Sequence, residues 1–389
     1  MKVQTFFLFA LVQGVALLPG FAQTQGNPQF PDFRITMSRS QFKSVLDTSG
    51  QKVVLKNPSL IINQDTVAVK ELHTRGNNSL RFEHKSFSVE LKNSTSIHLD
   101  GKKVKIKEFD LLNLVMDKNL WHNRWAMLGL SGLGIFPLIN TYCTLTINNQ
   151  PQGIYLLVEK PNNLVAKEKS PYMLRRGINH SIDDEYMDKG AKDESKKYKQ
   201  QFLSLYTDIG KYTNEDLYNR LQSKLDLEHY FTWLAFNYLI MNGDYSDELF
   251  LFIQPGTGRF DVLPWDYDDI LRPPHEGNKA RYAVPGIEEK LIYSIEDPLD
   301  RAIATDEYLY RQYLSSFKKL LALLPPELLS ANSEKVLREL VVLSENQEAA
   351  KASLFLGRES FQIDKAKEEV RLGLEFFHQR RNGLLTKMQ

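Results

Sequence analysis

The sequence predicts an α+β protein: a β-rich N-terminal half, then a mainly helical C-terminal half with one β-hairpin embedded in it. Three observations carry this. Between 29 and about 161, apolar residues recur in short alternating stretches, the two-residue period of half-buried strands. From 226 onward the apolar spacing becomes helical. Between the halves, 183–200 is dense in charge and poor in apolar residues, and reads as a mobile loop. The expected organisation is a leader at 1–22, a β-rich lobe at 29–180, a charged loop at 181–200 and a helical lobe at 201–389.

Taken in order, strands are expected at 60–62, 65–69, 86–91, 109–115, 142–147 and 153–158. The last two flank Asn148-Asn149-Gln150-Pro151-Gln152, a turn-forming cluster, and therefore read as a hairpin. A helix over 119–130 sets Leu120, Trp121, Trp125 and Leu128 at helical spacing and stops in the glycine-containing stretch 129–134. Asp226 is read as the N-cap of an apolar-rich helix over 227–241. A second hairpin pairs 249–253 with 259–263 across Pro255-Gly256-Thr257-Gly258. Helices fill 306–388, with breaks expected at Pro325-Pro326 and at Asn332-Ser333. Trp121, Trp125 and Trp233 fall on apolar helix faces and are expected in the core.

The N-terminus joins Lys2, an apolar stretch from Phe6 to Leu18 and small residues closing at Ala22, the pattern of a secretory signal peptide. Gln13 and Gly14 interrupt that stretch, which is short for a bilayer span, and no later run is apolar enough to be one. The mature protein is therefore expected to be secreted or held in the cell envelope. The single cysteine, Cys143, excludes an intrachain disulfide. It shares a strand face with Leu145 and Ile147, where a buried small hydrophobe is expected. With no Cys/His cluster a zinc-type site is not expected, and a net charge of +1 leaves no footprint of nucleic-acid binding.

Two constellations could carry chemistry. The first is Asn242-Gly243-Asp244-Tyr245-Ser246-Asp247-Glu248 together with Pro264-Trp265-Asp266-Tyr267-Asp268-Asp269. Asp244 follows a helix and Asp266 follows a strand, so closing the intervening hairpin brings the two acidic ends together. Converging carboxylates repel, and a cation or a proton relieves them. Oxygen donors without Cys or His suit magnesium, manganese or calcium. The bland alternative is an acidic surface loop, but Trp265 and Tyr267 interleave with the acids. The second constellation is Thr74-Arg75-Gly76-Asn77-Asn78-Ser79 with Arg81, His84 and Lys85. Glycine and small polar residues allow backbone amides to meet phosphate oxygens, and Arg75 and Lys85 add positive charge; taken alone, the stretch reads as a polar hairpin loop. Neither a Walker lysine pattern nor a glycine-rich kinase signature is present. Arg175-Arg176 ends an expected strand and reads as a solvated pair, contact with a substrate acid being the alternative.

In order along 70–270, these pieces resemble the CotH (spore coat protein H) kinase-like family. Arg75-Gly76-Asn77-Asn78-Ser79 with Lys85-Ser86-Phe87 looks like its RGxxS…KKSY segment, and Asp117 through Arg124 like its D-x-x-x-x-R-N-type helix start. The stretch from Asn148 to Glu159 is similar to its NGxxxGxYLLxE hairpin, and Asp244 with Trp265-Asp266-Tyr267-Asp268 to its D…WDxD segment. The resemblance implies a two-lobed atypical protein-kinase-like fold and phosphotransfer from ATP with Mg2+ or Mn2+. It implies that Asp244 is the general base or hydroxyl-orienting acid, and that Asp266 with Asp268 ligates the metal. It further implies that Arg75, Asn78, Ser79 and Lys85 bind nucleotide, with Glu159 positioning the lysine or a metal. Two departures stand out: His84-Lys85 where the family has two lysines, and Asp247-Glu248 where kinases often place an asparagine.

The leading expectation is an exported kinase that moves the ATP γ-phosphate to a hydroxyl, on Ser or Thr of an exported or envelope protein. Free ATP is scarce outside the cytoplasm, so either the enzyme acts during export or the site serves another role. The alternative is a weak or inactive CotH-like envelope assembly protein, which predicts no nucleotide-dependent thermal shift. A third reading, a glycoside hydrolase with Asp244 and Asp266 as paired carboxylates, requires a sugar-sized cleft without phosphate-binding basic residues opposite.

Overall fold

The computed structural model describes residues 29–187, 194–272, 284–356 and 359–388. The expected leader at 1–22 lies outside these residues. Within them the chain is a mixed α+β protein with two sheets.

The larger sheet has eight strands in the order β3-β2-β1-β7-β8-β6-β5-β4. They are β1 (Asp32–Thr36), β2 (Ser59–Ile62), β3 (Asp65–Val67), β4 (Val69–Arg75), β5 (Ser86–Leu99), β6 (Lys102–Leu112), β7 (Asn140–Ile147) and β8 (Gln150–Glu159). Strand alternation gives the sheet two apolar faces. One buries Phe33, Val89, Phe109, Cys143, Leu145, Ile147 and Leu157 in a core of its own. The other sends Tyr142, Leu156 and Val158 into the larger core shared with the helices. The β7–β8 turn has Asn148 and Asn149 both at positive φ (48° and 63°), the geometry of a two-residue hairpin whose twist matches its strands. At Gly153, φ is 119° and an added Cβ would lie 2.8 Å from Ser353 Oγ, so only glycine admits this close approach.

Three features differ from the sequence reading. β1 and α1 (Arg39–Leu46) were not expected; α1 starts on a capping box at Ser38 and Gln41. β5 and β6 run far beyond 86–91 and begin well before 109. Residues 92–105 are mostly polar, and the two strands pair with each other there, anchored by buried Ile97 and Ile106. The helix expected over 119–130 is α2 (His122–Gly132), because Asn119 and Leu120 sit at positive φ in a short turn before it.

The smaller sheet has the order β10-β9-β11-β12, from β9 (Tyr172–Arg176), β10 (Ile182–Met187), β11 (Leu249–Ile253) and β12 (Phe260–Pro264). Two corrections follow. The stretch 181–200 is not simply a loop: it holds β10 and the start of α4 (Ser195–Ile209), and 188–193 lie outside the described residues. Its acids fit a sheet edge, with Asp183 and Asp184 exposed while Ile182 and Tyr186 turn partly inward. In addition β9, placed by the 29–180 boundary in the first lobe, hydrogen-bonds to β11 of the second sheet.

After α3 (Asn162–Lys167) and α4 come α5 (Asn214–Gln222) and α6 (Leu227–Ile240), then α7 (Pro298–Thr305), α8 (Glu307–Leu323), α9 (Pro326–Ser344), α10 (Gln347–Ala352) and α11 (Ile363–Lys387). Asp226 caps α6, accepting from the His229 amide at 3.2 Å. α6 is apolar nearly all round and packs against α8, α11 and β12. The break at Pro325-Pro326 separates α8 from α9. Asn332-Ser333 breaks nothing and lies inside α9: the Ser333 hydroxyl donates to the Leu329 carbonyl (3.0 Å) and accepts from Trp125 Nε1 (3.0 Å). Among the described residues no helix is long and apolar enough to cross a membrane.

Candidate functional site

Closure of the β11–β12 hairpin sets the site. Leu249 pairs with Pro264, the Trp265 amide donates to the Glu248 carbonyl (3.0 Å), and the Gly243 amide to the Asp269 carbonyl (3.0 Å). The segments 243–248 and 265–269 therefore lie side by side, as the sequence suggested. Asp244 is exposed on one; Glu248, Asp266 and Asp268 are half-buried beside it. Asp266 sits at φ 47°, a left-handed backbone that costs a non-glycine residue about 1–3 kcal/mol and that surrounding structure must impose.

The acids feel one another. Burial raises the Asp266 carboxyl above its usual range, while the guanidinium groups of Arg75 and Arg175 pull it back. Burial and then the charge of Asp266 push Asp268 well up, with Asp117, Asp269 and Glu248 adding to the repulsion. Burial and Asp266 likewise push Glu248 well up against the pull of Arg175. Arg75 and Arg175 thus face Asp266, and Arg175 also faces Glu248.

Both cations are held from behind. Arg75, at the end of β4, reaches Asp110 of β6 (Nε to Oδ2, 3.3 Å) and lies 5.9 Å over the Trp265 ring. Arg175, on β9, donates to Glu248 Oε2 (2.7 Å) and to the Asp247 carbonyl (3.3 Å), over the Phe250 ring. The solvated Arg175-Arg176 pair of the sequence reading is thereby corrected. Arg175 faces the acids, and Arg176 is fully buried on the opposite face of the sheet.

The start of α2 grips the acidic turn. Buried Asp117 accepts from the amides of His122 and Asn123, both at 2.8 Å. His122 Nδ1 in turn donates to the Asp268 carbonyl (3.1 Å), and Asn123 Oδ1 accepts from the Tyr267 amide (2.8 Å). The sequence matched Asp117 through Arg124 to a family helix start but gave these three residues no role at the site. Their signal was the spacing of an acid five and six residues ahead of two polar residues at a helix start. Arg124 has a structural task, a forked pair with Glu339 at 2.8 and 2.6 Å that ties α2 to α9.

Two expected nucleotide ligands point elsewhere. Lys85 is 1% exposed, and its ammonium donates to the carbonyls of Asp47 (2.7 Å), Leu80 (2.7 Å) and Phe82. Burial also pulls its pKa down. Three carbonyls consume all three N–H donors, so none remains for a phosphate. Glu159 pairs with Lys167 (2.6 Å) and accepts from Asn163 Nδ2 (3.2 Å) and the Ile139 amide (3.2 Å), closing the end of β8 onto α3. It positions neither Lys85 nor the acidic cluster. In the glycine loop, where Gly76 takes φ 100°, Ser79 Oγ donates to the Arg75 carbonyl (3.2 Å) and Asn78 is exposed.

Among the described residues no three acid or histidine side chains converge as a ready-made metal shell. The donor set fits a divalent cation in a different sense. Magnesium is typically held by one or two carboxylates, with water and substrate phosphates completing its shell. Asp266 and Asp268 supply two carboxylates of that kind, the charge of Asp266 raising Asp268. Two surface hollows, one lined by Tyr218, Arg259 and Lys319 and one by Ile135, Phe252 and Val262, include none of these acids.

The family model described as CotH kinase protein matches residues 72–384. No curated protein matches. Among solved structures the chain is similar to a Helicobacter pylori proinflammatory kinase, CtkA, at 12% identity over 72% of this chain and 94% of that one, with a TM-score of 0.32. It is also similar to a Shewanella oneidensis HipA–HipB toxin–antitoxin complex with operator DNA, at 14% identity over 71% of this chain and 65% of that one, with a TM-score of 0.21.

Proposed function

We infer a function from one premise: this chain belongs to the CotH kinase protein family, whose model covers residues 72–384. On that premise we read the chain as an atypical kinase that transfers the ATP γ-phosphate to a hydroxyl. We read the larger sheet and the helical part with its smaller sheet as the two lobes of a kinase-like fold. The observation that carries the proposal is the meeting of Glu248, Asp266 and Asp268, whose carboxyls are held above their usual range, with Arg75 and Arg175.

Asp266 and Asp268 would hold Mg2+ or Mn2+, which when bound supplies charge neutralisation at the phosphates. Arg75 and Arg175 would take the phosphate oxygens, as forked donors suit. Exposed Asp244 would orient the acceptor hydroxyl and accept its proton. Asn78 and Ser79 would line the outer edge of the nucleotide site. The acceptor would be Ser or Thr of an exported or envelope protein, met outside the cytoplasm or during export. The two arginines among the carboxylates speak against the glycoside-hydrolase reading. The enclosed Lys85 favours a second reading, a non-catalytic envelope assembly protein on the same fold.

Labelled ATP with Mg2+ or Mn2+ tests this on the wild type, Asp244→Ala and Asp266→Ala. Label transfer by the wild type and its loss in both variants supports the assignment. Equal labelling of all three overturns the site. No labelling, together with no nucleotide-dependent thermal shift, selects the assembly reading.

A further inference from the structure

Arg176 lies one residue beyond Arg175, and strand alternation turns it away from the acids into the helical core. There its Nε and Nη2 both donate to the Ser246 carbonyl, at 2.9 and 2.6 Å. Its Nη1 donates to the Tyr230 hydroxyl (2.6 Å), and the guanidinium lies 5.2 Å over the Trp233 ring. Asp297 (3.6 Å) and Asp300 (3.9 Å) supply the opposite charge. These acids are themselves engaged: Tyr230 donates to Asp300 (2.5 Å), Tyr206 donates to Asp297 (3.1 Å), and Asp297 caps α7 through the Leu299 amide (2.8 Å).

Ser246 sits midway between Asp244 and Glu248, so whatever fixes its carbonyl fixes the spacing of both acids. A carbonyl in a loop needs only water. Burying a whole guanidinium to hold it is costly, and the charges of Asp297 and Asp300 offset that cost. We propose that Arg176 is a positioning residue, a latch that ties the loop bearing Asp244 and Glu248 to strand β9. The same strand thus presents Arg175 to the acids on one face and restrains their backbone from the other. The forked geometry is what makes it a latch. Lysine carries the charge on a single nitrogen, and so cannot hold one carbonyl from two directions.

The kinetic part of this inference rests on the phosphotransfer reading; the structural part does not. The experiment takes Arg176→Lys and the milder Tyr230→Phe in the full chain. It measures the KM for Mg–ATP and the amide exchange of Gly243 and Glu248, which are bonded to the Asp269 and Tyr245 carbonyls. The latch predicts that Arg176→Lys raises KM roughly 10-fold or more and speeds exchange at those two amides by a similar factor. Amides of β12 and α8 stay protected, and Tyr230→Phe moves both readouts the same way by less. A purely structural Arg176 predicts uniform loss of protection, unchanged KM and a rate lowered only by the unfolded fraction, and that result overturns the proposal. If Arg176→Lys does not fold, Tyr230→Phe decides between the same outcomes. If the wild type transfers no phosphate, the kinase reading fails and exchange at Gly243 and Glu248 alone judges the latch.

Discussion

The loop around Lys85 and the turn around Asp266 both put charge in poorly solvated places, and they treat it in opposite ways. At Lys85 the ammonium meets three carbonyls, so every donor is used and nothing is left over. At Glu248, Asp266 and Asp268 the carboxyls stay above their usual range despite the pull of Arg75 and Arg175. The first arrangement is complete without a ligand. The second favours protons, or a cation in their place. A charged group whose bonds close within the fold is doing structural work, and residual charge marks where a ligand belongs.

Substitutions on the two sides should separate cleanly. The largest effect is expected at Asp266→Asn: phosphotransfer falls roughly 100- to 1000-fold, about 3–4 kcal/mol of barrier. Thermal stability without ligand holds or rises, because repulsion is removed and asparagine tolerates the left-handed backbone. A fall in both activity and stability would make Asp266 structural. Next in size, Lys85→Met strands three carbonyls and should cost about 2–3 kcal/mol in denaturant unfolding. The KM for Mg–ATP of the folded protein should not move; a tenfold rise would return Lys85 to the nucleotide site. The smallest effect is expected at Arg175→Gln, which keeps a donor but loses charge: KM for Mg–ATP rises roughly 10-fold, about 1.4 kcal/mol, with little change in unfolding. An unchanged KM would leave Arg75 as the phosphate ligand.

The contrast also explains what the sequence disclosed. The acids at 244–248 and 265–269 were legible because residue type and position at the two ends of one hairpin are local properties. Hairpin pairing alone then brings them together. The α+β layout and the β7–β8 turn were legible for the same reason. Lys85 was not. A lysine before a strand can aim either way, and its cage includes the Asp47 carbonyl from 38 residues earlier. Arg175 and Arg176 looked like one solvated pair because their charge was visible and the burial of their strand was not. That burial comes from β11, more than 70 residues later. The long β5–β6 pairing stayed hidden because its sequence is polar and only the partner strand makes it extended.

The proposed site at Asp266 takes a cation carrying phosphate, and pH tests this directly. Folding raises these carboxyls above their usual range. Their contribution to stability is therefore fully present below the ordinary carboxylate pKa values and is lost as pH rises through the raised ones. A bound metal needs the same carboxyls deprotonated, so its stabilisation runs the other way. The decisive measurement is the melting temperature between about pH 5 and pH 8, with and without Mn–ATP, for the wild type and Asp266→Asn. In the wild type, the ligand-free protein should lose stability toward pH 8 while the increment from Mn–ATP grows. In Asp266→Asn, the loss should shrink and the increment should vanish. A wild type that Mn–ATP stabilises at no pH, or an increment that Asp266→Asn leaves intact, would contradict the account.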